Sequence, residues 1–462
     1  MEARRKRSAR EARRLSTTAP LADGLPRPRR QRAIAALLLA ISMTVLDSGI
    51  ANLALPTIAE ALDVSAAAAV WIVSAYQLSL VALLFPLAAV AERQGLRPVF
   101  AAGVGIFGLA SLGCALAPGL PSLVAARALQ GVGAAAIMCV SAGIVRLSYP
   151  RDRLGRGIAI NALCVALGSA AAPSLGAAIL TLGGWPWLFA VNVPIALVIG
   201  LLVRNLPDSP RAQRRLDPLS VGLNALVFCA GIGGLERLGG APLQGVALLL
   251  VAAASLVLLI RRERGLPAPL LPVDLLGLPA MRHSVLASVC SFAAQMLCFL
   301  ALPFYLQHQL GLVPLHVALL MLAWPLTVAV SAQVAGRLAD RYPPQRLCML
   351  GGLGIALGLA AAAGMPLARS TLLLIPCLVI GGIGFGFFQV PNNRIMLTAA
   401  PAGRNGATGG VQATARQTGM ALGAAALALL LHLDGSLAPR LGLALAAALG
   451  LVAAWSNWRA PR

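Results

Sequence analysis

The sequence has few charged residues, and acidic residues are fewer than basic ones. Charged side chains make up 11% of the 462 residues, with 15 Asp and Glu against 37 Lys and Arg, whereas soluble proteins carry about 25% charged residues. Hydrophobic residues make up 59% of the chain, and the mean hydropathy is +0.83. This balance excludes a soluble globular protein and indicates a polytopic membrane protein.

Recognisable catalytic and metal-binding patterns are missing. The eight cysteines form no Cys-x-x-Cys pair and fall in or beside apolar runs, where packing is their expected role. The four histidines lack metal-ligand spacing, and there is no Ser-His-Asp order, phosphate-binding loop or dinucleotide fingerprint. We therefore expect neither an enzyme nor a cofactor.

Segments that alternate between apolar and polar residues, as membrane β-barrel strands do, are also missing. Continuous apolar runs recur instead, at the length of about 20 residues that an α-helix needs to cross a bilayer. The sequence therefore predicts an all-α protein with fourteen membrane spans. The predicted spans are 33–55, 69–91, 98–117, 122–146, 157–181, 186–204, 218–237, 243–261, 284–307, 314–337, 346–365, 371–392, 408–432 and 439–457.

The basic residues are distributed unequally between the two sides of the predicted membrane. If the N-terminus is cytoplasmic, 32 of them fall on the cytoplasmic side and only Arg237, Arg369 and Arg440 on the other. This positive-inside signature predicts a bacterial inner-membrane protein with both termini in the cytoplasm. Residues 1–32 form a basic tail without interleaved aromatics, so we interpret the tail as facing lipid headgroups. Nucleic-acid binding is a remote second interpretation.

Two short loops resemble each other and suggest an internal repeat. Residues 91–98 (AERQGLRP) and 336–346 (GRLADRYPPQR) both place an acid before basic residues. If the loops are equivalent, residues 33–204 and 284–462 are two six-helix halves, and 205–283 hold an inserted pair, spans 7 and 8. Alternating-access transporters are built from such repeats, with the binding site near the membrane midplane. Transport is therefore the favoured function.

Asp47 is the carboxylate that lies well inside a predicted span. It is about two-thirds along span 1, where desolvation and a cationic neighbour would allow it to gain and lose a proton. Arg127 lies in span 4 at a similar depth, so we predict that the two residues are linked and couple transport to proton movement. The alternatives are a permanently paired, structural Asp47 and an Arg127 that snorkels to the outer interface.

Other polar and aromatic residues inside the spans are candidates for a substrate cavity that suits an amphipathic ligand. The candidates are Asn52, Trp71, Tyr76, Gln77, Gln130, Gln295, Phe304 and Gln389. For each residue alone, packing or an interfacial position is the alternative. The same alternatives hold for Arg416 and Gln417 in span 13, and Glu236, beside Arg237 at the outer end of span 7, is predicted to be interfacial.

Taken together, these segments resemble the major facilitator superfamily and, within it, the fourteen-span drug:proton antiporters. The resemblance covers nearly the whole chain. The similar segments are 46–56 (an acid followed by Asn-x-Ala-Leu-Pro), Trp71 and Tyr76, 127–131 (Arg-x-x-Gln-Gly), 185–194 (Trp-x-Trp-x-Phe-x-x-Asn-x-Pro), the Gly-rich stretch that ends at 391–394, and 416–419.

The resemblance assigns a gating role to the two repeated loops. In the first copy the matching residues are Glu92, Arg93, Gly95 and Arg97. Glu92 stands where the family has Asp, and Ala88 and Leu96 stand where it has Gly and Arg. The matching residues of the second copy are Gly336, Asp340 and Arg341.

A further motif in span 5 is similar to the family's antiporter motif. Gly168, Pro173 and Gly176 are kept, whereas positions 172 and 177 hold alanine. Because alanine is also small, antiport remains the function that the resemblance implies.

The resemblance implies proton-driven export of amphipathic small molecules by alternating access, with the proton as the coupling ion. One alternative is an exporter dedicated to one metabolite, such as an antibiotic, an amino acid or a siderophore. A remote alternative is a non-transporting membrane scaffold or receptor. Some relatives of this type pass substrate to a periplasmic adaptor, and no segment here announces or excludes such docking.

Overall fold

The computed structural model of the chain describes residues 24–150, 153–209, 217–264, 273–365, 370–399, 405–433 and 435–459. Most of the predicted basic tail lies outside these ranges, as does Arg369. The long helices of the first part are α1 (Arg27–Ala61), α2 (Ala66–Gln94), α3 (Leu96–Ala115), α4 (Leu120–Ser148), α5 (Leu154–Gly183), α6 (Pro186–Asn205), α7 (Pro218–Arg237) and α8 (Pro242–Glu263). Those of the second part are α9 (Pro279–Gln309), α10 (Pro314–Leu338), α11 (Pro344–Gly364), α12 (Thr371–Ala399), α13 (Asn405–Leu433) and α14 (Ala438–Arg459).

These helices confirm the all-α prediction. Thirteen helices of the described residues are long and apolar enough to cross a membrane. The remaining long helix, α13, has 29 residues, and polar side chains such as Arg416 and Gln417 make it less apolar than the others. We call the side on which α1 begins inner and the opposite side outer, following the predicted orientation.

Prolines explain where several helices begin and why two predicted ends are wrong. Each helix from α6 to α11 begins with proline, which has no N–H to leave unpaired in the first turn. Inside α1, however, Pro56 does not end the helix, which continues to Ala61, and α12 continues past Pro391 to Ala399. Membrane helices tolerate internal proline because neighbouring groups satisfy the freed carbonyl.

Helices α1–α6 and α9–α14 pack in the same pattern. In the first set α4 packs on α2 and α3, α1 packs on α5, and α6 contacts α1 and α3. In the second set α12 packs on α10 and α11, α9 packs on α13, and α14 contacts α9 and α11. The sequence Leu-Ala-Leu-Pro occurs at 53–56 in α1 and again at 300–303 in the corresponding α9. The two sets of six helices therefore share one packing pattern, and the division of the chain into two halves stays a prediction.

The two sets meet along α1 and α9, α2 and α13, and α5 and α10. Near the outer ends of α1 and α9, Gln307 Nε2 donates a hydrogen bond to the Leu53 carbonyl at 3.0 Å, and Thr57 Oγ1 lies 3.3 Å from Gln307 Oε1. At the outermost turn, His308 Nδ1 is 3.3 Å from Glu60 Oε1. The halves are therefore joined on the outer side in this conformation.

Helix α7 lies against the seam between α2 and α13, and α8 packs on α7. An apolar cluster joins α7 to both seam helices through Ile232, Val81 and Ala421, and Asn224 Nδ2 donates to the Ala82 carbonyl at 2.7 Å. The inserted pair is thus placed beside the contact of the two halves.

Beyond the inner end of α7, the hydrogen bond from Arg262 holds the pKa of Asp217 well below its usual range.

Candidate functional site: a buried ion pair in the first half

Asp47 and Arg127 form an ion pair where α1, α2, α3, α4 and α6 meet. Arg127 Nη1 lies 2.5 Å from Asp47 Oδ2, and neither side chain has any exposed surface. Electrostatic attraction is strong where water is excluded. The two intramembrane charges singled out from the sequence are therefore in direct contact, and Arg127 does not reach the outer interface.

Three uncharged polar side chains complete the network around the carboxylate. Gln130 Nε2 and Asn192 Nδ2 donate to Asp47 Oδ1 at 2.8 and 2.7 Å. Gln130 also accepts a hydrogen bond from Arg127 at 2.5 Å and donates to Ser111 Oγ at 2.9 Å. Asp47 thus accepts hydrogen bonds from side chains of α4 and α6.

The guanidinium of Arg127 is held by two further contacts on α2. Its Nε donates to the Ile72 carbonyl at 3.0 Å, and its central carbon lies 4.4 Å from the centroid of the Tyr76 ring, a cation–π distance. Phe189 contributes a second ring at 5.6 Å. The Nη2 atom has no hydrogen-bond partner among the described residues. The two N–H donors of Nη2 are therefore unpaired within the described part of the chain.

The position of α1 is set from its other side by α5. A Cβ atom built at Gly49 would lie 2.5 Å from the Ala172 Cβ, and one built at Gly176 would lie 3.3 Å from Ile50. A Cβ atom built at Gly168 would likewise lie 3.3 Å from the side chain of Val45. Because residues two apart on a helix point in nearly opposite directions, this close contact leaves Asp47 facing α4. Pro173 lies inside α5, which continues to Gly183.

The other predicted cavity residues do not form one group. Asn52 and Gln77 are buried, and Asn52 Nδ2 contacts Met296 Sδ of α9 at 3.8 Å. Phe304 is also buried and stacks on His308 at the outer end of α9. Trp71 lines a cavity at the outer end of α7. Gln295 and Gln389 of the second half are half-buried.

The first gating loop is tied to the segment after α6. Gly95 joins α2 to α3 with φ of +104°, a conformation that favours glycine. The Leu96 N–H donates to Ser209 Oγ at 2.9 Å, and Arg97 Nη1 lies 3.7 Å from Asp208 Oδ1. Glu92 and Arg93 are exposed.

The second gating loop is tied to α12 instead. Asp340 Oδ1 lies 2.6 Å from Arg394 Nη1, with both side chains largely exposed. Gly336 approaches Val390 of the same helix, with 3.7 Å between a built Cβ and the Val390 side chain, and Arg341 is exposed. The two copies of this loop are thus anchored differently, the first to the segment after α6 and the second to α12.

Sequence reasoning missed two members of the buried network and did not foresee the burial of a third residue. Asn192 and Ser111 are uncharged, so they carry no burial penalty large enough to single them out. Glu236 lies at the outer end of α7, and its interfacial position stays a prediction, but the residue is only 3% exposed. Its burial depends on how α7 packs against α2 and α13, which local sequence does not encode. Within the described ranges, no group of three His, Cys, Asp or Glu side chains is placed to hold a metal ion.

Comparisons with known proteins place this geometry in a family. The family model of the Major Facilitator Superfamily matches residues 37–424. The uncharacterised transporter YebQ of Escherichia coli (strain K12) is 42% identical over 442 residues, which cover 94% of this chain and 96% of YebQ.

Two further relatives have names that refer to what they transport or resist. The riboflavin transporter RibZ of Clostridioides difficile (strain 630) is 28% identical, over 86% of this chain and 87% of its own. The multidrug resistance protein Stp of Mycobacterium tuberculosis (strain ATCC 25618 / H37Rv) is 29% identical, over 87% of this chain and 76% of its own.

Solved structures share the fold. The crystal structure of a D-xylose–proton symporter superposes with a TM-score of 0.67 at 15% sequence identity, covering 94% of this chain and 97% of the symporter. Because the family match spans most of the sequence and a relative is 42% identical along nearly all of it, the chain belongs to the major facilitator superfamily of membrane transporters.

Proposed function

We propose that the protein exports amphipathic small molecules in exchange for protons. The observation that carries this proposal is the buried Asp47–Arg127 pair. A charged residue at the membrane centre costs roughly 2.5 to 3.5 kcal/mol on insertion scales, and a buried ion pair adds little net stability over well-packed apolar residues. A charge that changes during the transport cycle explains why the pair is there.

Proton uptake by Asp47 would release the restraint that the pair imposes. A neutral carboxyl group attracts Arg127 less strongly and accepts fewer of the hydrogen bonds from Gln130 and Asn192. The guanidinium would keep its contacts with Ile72 and Tyr76, and Nη2, which has no hydrogen-bond partner among the described residues, could bind a new one. Contacts between α1 and α4 would then weaken, and the halves would be free to rearrange.

The proton gradient supplies enough free energy for this step. One proton moving inward down a potential of 100 mV yields about 2.3 kcal/mol, more than the roughly 1.4 kcal/mol that changes a conformational equilibrium tenfold. In this scheme Asp47 takes its proton from the outer side and releases it to the cytoplasm. The protein acts in the inner membrane, with both termini cytoplasmic.

Two substrate ranges are supported by different relatives. Relatives such as Stp, whose name refers to multidrug resistance, favour a broad range of amphipathic compounds. RibZ, named as a riboflavin transporter, favours a second candidate function, transport of a single metabolite. The aromatic and amide side chains of the predicted cavity, including the half-buried Gln295 and Gln389, suit either range.

The test is transport of ethidium by the purified protein in proteoliposomes, with and without an imposed pH gradient. We expect gradient-driven transport by the wild type and its loss in Asp47→Asn, which cannot carry a proton. Asp63→Asn is the matched control, because Asp63 is exposed in the α1–α2 turn at φ of +50°, a conformation that asparagine adopts readily.

Each outcome has a distinct meaning. Gradient-driven ethidium transport that survives in Asp47→Asn would refute the assignment of Asp47. A wild type that moves riboflavin but not ethidium would favour the single-metabolite function over broad export. Transport of either compound with no response to the pH gradient would refute proton coupling.

A further inference from the structure

A second intramembrane carboxylate, Glu236, lies at the outer end of α7 and belongs to none of the contacts described for Asp47. Its residue is 3% exposed, and neither carboxylate oxygen has a hydrogen-bond partner among the described residues. The Ser74 side chain of α2 interacts with this carboxylate, although the Ser74 hydroxyl and both carboxylate oxygens lack a hydrogen bond of good geometry in the described part of the chain. Two neighbouring polar groups are therefore buried without a well-formed hydrogen bond.

Glu236 lines a cavity of about 310 Å³ near the outer ends of α2, α7 and α13. The lining residues are Trp71, Glu236, Arg237, Gly240, Ala241 and His432. The turn after α7 packs closely on α13, since a Cβ built at Gly239 would lie 2.7 Å from the His432 Cβ. The cavity thus connects the buried carboxylate to the outer side at the seam between the halves.

The helices around Glu236 contribute few charged or titratable groups. Helix α2 contributes Trp71 and Ser74, which carry no charge. Helix α13 contributes His432, which is exposed. Arg237 follows in the chain, but its Nη1 donates to Gln244 Oε1 of α8 at 2.8 Å. No described cation is paired with the carboxylate.

An ionised carboxylate in this position would be unfavourable, because a charge that is buried without a partner loses its hydration and receives no compensating interaction. A neutral carboxyl group removes this cost and gains a donor. Its O–H can donate to Ser74 Oγ, and the Ser74 hydroxyl can then rotate to donate to a backbone carbonyl one turn earlier in α2, a bond that helical serines can form. Protonation thus satisfies both buried groups at once.

We propose that Glu236 is a second proton-binding site, loaded from the outer side through the cavity, and that it must be neutral for α7 to pack against the α2–α13 seam. One proton passes from outer water to a carboxylate oxygen and returns to water when the seam opens. The inference rests on the proposed proton-coupled function, to which it adds a site in the inserted helix pair. That pair is thereby part of the coupling machinery.

The direct test needs no substrate. Infrared difference spectra of the full-length protein in liposomes are recorded across pH steps, and the carbonyl stretching band of a protonated carboxylic acid is followed. We expect this band in the wild type, the loss of the Glu236 component in Glu236→Gln with any Asp47 component retained, and a shifted component in Glu236→Asp. The control Asp63→Asn, which alters an exposed outer-side carboxylate, keeps the wild-type band. A band that persists unchanged in Glu236→Gln overturns the proposal.

A transport profile supplies the functional readout. The wild-type rate of ethidium transport is expected to fall by up to about tenfold per pH unit as the outer pH rises past the titration of this carboxyl group. Glu236→Gln is permanently neutral, so the part of the decline that depends on Glu236 should be missing, and the ratio of the rates at low and high outer pH should be smaller than in the wild type. An identical decline in the variant overturns the proposal. Failure of wild-type ethidium transport counts against the proposed function alone, because the infrared result decides Glu236 separately.

Discussion

The two six-helix halves fill equivalent positions with opposite kinds of side chains. Gly131 and Gly133 of α4 make the same close contacts as Gly382 and Gly384 of α12, the first glycine of each pair against α2 or α10 and the second against α3 or α11. Counting back four residues, Arg127 corresponds to Leu378. The repeated Leu-Ala-Leu-Pro segments likewise align Asp47 with Ala294. Both counterparts are buried and apolar.

Aromatic rings occupy the place of the charge network in the second half. Trp324 of α10 is 1% exposed and packs edge-on against Phe299, with 6.0 Å between ring centroids. Phe385 lies 6.0 Å from Trp324 and 5.2 Å from Phe292. Gly381, the counterpart of Gln130, leaves the space that the Trp324 ring fills. The same backbone arrangement is therefore stable with either filling.

This comparison separates what the fold needs from what the function needs. Close helix contacts at paired glycines are present in both halves, so they belong to the architecture. The buried ion pair is present in one half, although the other half shows that apolar residues can fill the site. We therefore expect coupling to depend on the first half and the second half to contribute mainly packing at this level.

The largest loss of stability is expected when Arg127 alone is replaced by leucine, the residue at the equivalent position of the second half. Arg127→Leu leaves Asp47 buried without its cation and should lower the free energy of unfolding by about 3–5 kcal/mol, with loss of transport. Asp47→Ala combined with Arg127→Leu removes both charges and should recover most of that stability without restoring transport. Thermal unfolding in detergent and proteoliposome transport measure the two quantities.

A double variant as unstable as Arg127→Leu would contradict this interpretation. The fold would then require the polar network itself, and the structural alternative for Asp47 would be favoured.

A smaller effect of a different kind is expected in the second half. Trp324→Ala removes the largest ring of the aromatic cluster and should cost about 3 kcal/mol, the lower end of the usual range for such truncations. Because Trp324 has no titratable partner, the dependence of transport on pH should keep its wild-type shape even if the rate falls. Trp324→Phe, which retains a ring, is the matched control. A changed pH profile in Trp324→Ala would show that coupling is shared by both halves.

The paired glycines should respond alike. A Cβ built at Gly131 overlaps the Tyr76 carbonyl, and one at Gly382 lies 2.8 Å from the Trp324 carbonyl. Gly131→Ala and Gly382→Ala should each cost about 1–3 kcal/mol through overpacking. Gly105→Ala is the control, since its Cβ would meet nothing within 4 Å. If the free energies of unfolding of Gly131→Ala and Gly382→Ala differ so much that one variant falls outside the range of about 1–3 kcal/mol, the equivalence of the halves is refuted.

Features that depend on the residues of a single span could be predicted from the sequence. Run length alone indicates the helices, and the rarity of carboxylates in those runs singles out Asp47 and, with it, Arg127. Asn192 was not identified as a ligand of Asp47, because uncharged polar residues are common enough in membrane helices to carry no signal alone. The burial of Glu236 was not predicted, because it results from long-range packing of α7 against two other helices.

The smallest effect is expected at the loop of the second half. Asp340 and Arg394 form an ion pair of 2.6 Å, but their side chains are 70% and 46% exposed. Water and salt screen such a pair, so Asp340→Asn should change the free energy of unfolding by less than about 1 kcal/mol. A double-mutant cycle with Arg394→Gln at low and high ionic strength measures the coupling between the two side chains. A coupling larger than this, or one that salt does not weaken, would mean that the loop is dehydrated during the cycle. The second half would then contribute electrostatic control at its inner surface, even though its membrane core holds aromatic rings where the first half holds charge.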